Sequence, residues 1–174
     1  PKCGMALEPM APSADEEENP EYADMKRRFF FGLAFTLPLV LVAMRHMLPG
    51  HMPAGLPSET AFTWVEFLLA SPVVLWAGWP FFVRAWSSVR SRNLNMFTLI
   101  GLGVAVSYGY SIAATLMPGL FPASMRGSAG TVSVYFEASS MIVTLVLLGQ
   151  VLELKARSRT GAAIRELLKL APKT

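Results

Sequence analysis

The sequence predicts an all-α membrane protein with four transmembrane helices. Both termini are expected to be cytoplasmic, and the second helix kinked ahead of an amphipathic platform. Three observations predict this. The 174 residues are 53% hydrophobic and only 16% charged, with a mean hydropathy of +0.43, whereas soluble domains carry about 25% charged residues. The charges crowd toward the ends: residues 1–28 hold eleven and residues 155–174 hold seven, so only nine remain for the 126 residues between. Four apolar stretches also meet the roughly 20 residues needed to cross a hydrocarbon core about 30 Å thick, the second least cleanly. Intrinsic disorder, collagen and disulfide-rich scaffolds are excluded by this composition, and one cysteine permits no internal disulfide.

The elements follow in order. Residues 1–8 contain the only cysteine, Cys3; a C-x-x-C metal site would need a second cysteine one position before Pro1. The start Pro1-Lys2-Cys3 and the stop just after an amphipathic run suggest a piece of a larger protein. Residues 9–25, with Pro9, Pro12, Pro20 and the run Asp15 to Glu18, read as an acidic linker. Within a transmembrane region over 26–154, the first span is expected at about 29–48, with a kink at Pro38. The second is expected at about 62–83, interrupted by Ser71-Pro72 and Gly78-Trp79-Pro80. The third is expected at about 97–116, closed by Met117-Pro118-Gly119, and the fourth at about 132–154. In residues 155–174, Ile164, Leu167, Leu168 and Ala171 repeat at helical spacing. The fourth helix is therefore expected to continue into the cytoplasm as a stalk.

Basic residues set the orientation. Thirteen Lys and Arg fall in the N-terminal segment, the middle loop (Arg84, Arg90, Arg92) and the tail, against Arg45 and Arg126 in the other two loops. Positively charged loops stay cytoplasmic. The net charge of +3 is explained by this topology, not by nucleic-acid binding.

Ionisable groups inside a membrane are costly and point to function. Glu137 and Glu153 lie on the fourth helix, 16 residues apart, or about 24 Å along the axis and about 160° around it. They belong to different sites, Glu137 near the outer end and Glu153 near the cytoplasmic one. Either could also be a carboxylate snorkelling to water. Met96 opens the third helix at the level of Glu153. A thioether beside a carboxylate would suit a soft cation such as Cu(I), although Met is also a common gap-filler. After the break at Gly78 and Pro80, the stretch with Trp86, Arg84 and Arg90 reads as an amphipathic surface helix or as an aromatic belt with basic anchors. His46, Met47, His51 and Met52 cluster just outside the first span as further potential copper ligands. Glu66 takes no role from the sequence.

Several segments resemble the copper-transporting P-type ATPases of bacteria. They are Ser71-Pro72-Val73-Val74-Leu75-Trp76-Ala77-Gly78-Trp79-Pro80-Phe81-Phe82, Asn93-Leu94-Asn95-Met96-Phe97-Thr98-Leu99-Ile100, Val134-Tyr135-Phe136-Glu137-Ala138, and Leu147-Leu148-Gly149-Gln150-Val151-Leu152-Glu153. The run from Thr160 to Pro172 is similar to the approach to their actuator domain, and Pro1 to Leu7 to the end of a cysteine-containing metal-binding module. The resemblance covers essentially the whole chain. It implies that Met96 and Glu153 belong to the site where Cu(I) is taken in, and that Glu137 lies near the exit. It implies a weaker metal role for Cys3. Gly78, Pro80, Arg84 and Arg90 would belong to a platform that docks a copper chaperone. Some relatives have two glycines at the kink; here the first position is Ala77, so the bend is expected to rest on Gly78 and Pro80.

The resemblance further implies a multi-pass protein of the bacterial inner membrane whose partners are the lipid bilayer, a cytoplasmic copper chaperone and the rest of its own polypeptide. ATP and Mg2+ would act in domains outside this sequence, which has no Asp-Lys-Thr-Gly-Thr, Thr-Gly-Glu or Cys-Pro-Cys motif. This stretch is not expected to be active alone. Two alternatives stand beside it: a pump for Ag(I) or another heavy metal, and a non-enzymatic four-helix membrane protein that binds metal.

Overall fold

The computed structural model describes residues 20–47, 58–127 and 130–170, which form five α-helices joined by short turns. Cys3, most of the expected linker, and His51 and Met52 lie outside the described residues. Helix α1 spans Pro20–Ala43. It begins well before the apolar run, because Pro20 presets the first turn and Glu21 complements the helix N-terminus. An Asp24–Arg28 pair at 2.8 Å then spans one turn. The last residues of the expected linker are thus helical. The α-helix ends at Ala43, earlier than expected, and tightens into a 3-10 turn over Met44–Met47.

Helix α2 (Glu59–Pro72) starts at Ser58, whose side chain accepts from the Ala61 amide. Its end is remodelled by two adjacent residues. Ser71 donates back to the Phe67 carbonyl at 2.6 Å, a bond that bends helices, and Pro72 has no amide to give. The next turn, Val73–Ala77, widens to π geometry, closed by the Gly78 amide on the Val73 carbonyl at 2.9 Å. Helix α3 (Trp79–Arg90) then starts after the bend at Gly78, with Pro80 in its first turn. The break falls where the sequence places it.

A compact corner joins α3 to α4 (Met96–Leu116). The Asn93 amide reaches back to the Ser88 carbonyl at 3.1 Å, with Arg92 at φ 54°. That is a helix-ending motif usually completed by glycine. Asn95 caps α4 through its Oδ1, and the Asn95 amide donates in return to Thr98 Oγ1. After α4, a turn with Gly130 at φ 73° and a bridge between Arg126 and Val132 precede α5 (Phe136–Leu170). The fourth expected span therefore starts later than expected. It continues unbroken into the stalk region.

Among the described residues, three helical stretches are long and apolar enough to cross a membrane: Glu59–Ala77, Met96–Leu116 and Phe136–Ser158. The uncharged run of α1 is hemmed in by Lys26, Arg27 and Arg28 on one side and Arg45 on the other. Helix α5 lies against α1, α2 and α4, around a core of Leu39, Val73, Val74, Phe81, Phe136, Val143 and Leu147.

Candidate functional site

The residues singled out from the sequence fall at the two ends of this bundle. At one end, the corner residue Asn95 sets Met96 as the first residue of α4, where its side chain is 59% exposed. Glu153 lies on α5. Its Oε1 accepts from Arg157 Nη2 at 2.7 Å and its Oε2 from Gln150 Nε2 at 3.2 Å. Met96 and Glu153 are linked indirectly. Arg84, from α3, lies 5.0 Å over the ring of Phe97, the neighbour of Met96, and also donates to Gln150 Oε1 at 3.0 Å. Its other nitrogen reaches Glu21 Oε1 at 2.5 Å.

The bend above this end depends on Gly78, where a Cβ would stand 2.6 Å from the Val74 carbonyl oxygen and 3.2 Å from Val143. Helix α3 then packs tightly on α4 at Gly101, where a Cβ would meet that of Ala85 at 2.7 Å. The stacked rings of Phe81 and Phe97 fill the joint. An apolar groove runs between the two helices, lined by Trp79, Phe82, Val83, Trp86 and Leu102 among others. Arg84 is turned into the bundle, and Arg90, in the last turn of α3, faces out.

At the other end, Glu137 is half-buried in the first turn of α5, where a negative charge suits the helix N-terminus. It stands close enough to Glu66 for their charges to interact. Glu66 is buried, with a role the sequence did not disclose. Arg45 donates to it at 2.7 Å and to Glu59 at 2.6 Å, while its guanidinium covers the ring of Phe62 at 4.7 Å. One arginine thus ties the end of α1 to α2. The signal available in the sequence was a single cation and a single carboxylate in otherwise apolar segments, which favours pairing. Ser140, one turn along α5 from Glu137, is fully buried with no hydrogen-bond partner among the described residues. Also among the described residues, no three His, Cys, Asp or Glu side chains are grouped to hold a metal ion.

Known proteins resemble the chain along its whole length. No family model matches it. Over its full length it is 53% identical to a copper-exporting P-type ATPase of Legionella pneumophila and 57% identical to a copper-transporting P-type ATPase of Rhizobium leguminosarum. It is 51% identical to a silver exporting P-type ATPase of Salmonella typhimurium. The chain spans 23%, 21% and 21% of those relatives. The matched stretch takes in every described helix and the break at Gly78. The chain is an integral-membrane stretch that belongs to the heavy-metal-transporting P-type ATPases.

Proposed function

We propose that this stretch serves an ATP-driven exporter of Cu(I) in the bacterial inner membrane. All four apolar segments cross the bilayer with both termini cytoplasmic, as the thirteen-to-two distribution of basic residues favours. The observation that carries the reading is identity above 50% over the whole chain to copper and silver pumps. Met96 and Glu153 take the ion in at the cytoplasmic mouth, the thioether supplying soft affinity and the carboxylate charge. Glu137 lies at the exit. Cys3 contributes to metal capture ahead of the membrane. A cytoplasmic copper chaperone docks on α3, whose angle is set by Gly78 and Pro80 and whose outward basic edge is Arg90; Arg84 supports the same platform from beneath. ATP and Mg2+ act in the remainder of the polypeptide.

The test uses the full-length protein. Met96→Ala and Glu153→Ala should each lower Cu(I)-stimulated ATPase activity. Wild-type turnover and half-activating Cu(I) concentration in both variants would overturn the intake assignment. A second reading, Ag(I) as cargo, is favoured by the silver-exporting relative and by the thioether, which does not separate the two monovalent ions. Phosphorylation of the full-length protein under Cu(I) and Ag(I) in parallel decides between them.

A further inference from the structure

Beneath the platform, one run of side chains connects α1, α3, α4 and α5. Arg84 is its centre. One guanidinium nitrogen reaches Glu21 on α1, another reaches Gln150 on α5, and the plane of the group covers Phe97 on α4. Only a fork of fixed geometry serves two acceptors on different helices and an aromatic face together. The contact has a directional consequence at Gln150. Because its amide oxygen accepts from Arg84, its amide nitrogen must face the other way, and there it donates to Glu153 Oε2. The orientation of the amide follows from its charged neighbours on both sides.

We propose that Gln150, oriented by Arg84, is a positioning residue for the Glu153 carboxylate and thereby sets how tightly the ion is held at the cytoplasmic mouth. The proposal rests on the reading of Glu153 as the intake carboxylate. Glu153 has two unlike partners. Arg157, one turn along the same helix, is a cation on a flexible stem and competes with an incoming ion for the carboxylate's charge. Gln150 is neutral. It restricts the carboxylate without cancelling its charge, as outer partners of metal-binding carboxylates do. Arg84 fixes the amide and, through Phe97, the head of α4 that carries Met96. A single residue thus sets the frame of both intake groups from opposite sides.

The experiment is activation of the full-length pump by buffered free Cu(I) in proteoliposomes. Gln150→Leu and Arg84→Gln should each raise the half-activating concentration by about 10-fold, the lower end of what losing an outer partner costs in metal affinity. Maximal turnover should change far less. Gln150→Met is measured beside Gln150→Leu, so that poor folding of one variant does not decide the outcome. In a Glu153→Gln background, adding Gln150→Leu should produce no further shift, because Gln150 acts through that carboxylate. If Glu153→Gln raises the half-activating concentration and the Gln150 variants leave it at the wild-type value, the relay is refuted while the intake reading stands. The relay is equally refuted if the Gln150 variants lower only maximal turnover. If Glu153→Gln itself leaves the half-activating concentration unchanged, the intake reading falls and the relay with it.

Discussion

Gly78→Ala should bend the platform away from its native angle by an amount the structure specifies. The added Cβ would sit 2.6 Å from the Val74 carbonyl oxygen, where an ordinary carbon–oxygen contact is about 3.3 Å or longer. The obstacle is backbone inside a π turn, so the helices must part by at least ~0.7 Å at the hinge. Acting at a helix radius of ~5 Å, this rotates α3 by roughly 8°, and its far end, about 18 Å away, swings by ~2–3 Å. Overpacking of this kind costs about 1–3 kcal/mol. Nitroxide labels at Leu68 and Val89, both exposed on either side of the bend, measure the swing by pulsed dipolar spectroscopy on the full-length protein. Thermal loss of monodisperse protein in detergent measures the destabilisation. Gly103→Ala is the matched control: nothing lies within 4 Å of a Cβ there, so the change should be neutral or stabilise by up to about 1 kcal/mol through helix propensity. A wild-type label distance and wild-type thermal stability in Gly78→Ala would refute the assignment of the hinge.

Three further outcomes follow from contacts elsewhere. Arg45→Met leaves the buried Glu66 without its counter-charge and should destabilise by about 3–5 kcal/mol, whereas Arg45→Met combined with Glu66→Leu should recover most of the loss; thermal stability of the two variants decides. The buried Thr36–Thr144 hydroxyl pair, 2.9 Å apart, should lose about 1–2 kcal/mol when one member becomes Val and much less when both do. Equal losses in the single and double variants would contradict this. Arg92→Gly should stabilise the α3–α4 corner by about 1 kcal/mol, since its φ of 54° disfavours a side chain, with thermal stability again the readout.

How legible these features were in the sequence depended on the range of the interaction behind them. The third expected span, 97–116, differs from α4 by one residue, because Asn95 with Thr98 at its start and Pro118-Gly119 after its end are local signals. Hydropathy shows where a helix is apolar and not where it begins, so α1 extended back through its charged residues once Asp24 and Arg28 paired. Residues 132–135 look as apolar as the helix that follows, but the turn at Gly130 holds Val132 in a bridge. The two carboxylates at 137 and 153 on α5 were readable, since Glu137 and Glu153 disturb otherwise apolar patterns. Their partners were not. Arg84 meets Gln150 across 66 residues and Arg45 meets Glu66 across 21, separations that no periodicity reports. Gly101 and Gly103 lie two residues apart in one helix, and only packing makes one a close contact and the other open.

Between the charged ends, paired hydroxyls hold the helices to one another. Helices immersed in lipid gain little from the hydrophobic effect and are held by close packing and interhelical hydrogen bonds. Here Thr36 with Thr144 joins α1 to α5, Ser71 with Tyr108 at 2.7 Å joins α2 to α4, and Ser139 with Ser107 at 3.0 Å joins α4 to α5. Each pair bonds across two helices, and Ser71 and Ser139 also bond a carbonyl one turn back, so these hydroxyls join the bundle without a charge in its middle. Hydroxyl oxygen is also a poor partner for a soft cation compared with sulfur. The middle of α5 therefore serves as a strut, and the carboxylates at 137 and 153 are free to differ in environment: one near the buried Glu66–Arg45 pair, the other bound by an amide and a flexible arginine. A single helix built in this way holds two unlike acidic groups at a fixed separation, which under the proposed function would let intake and release be tuned independently.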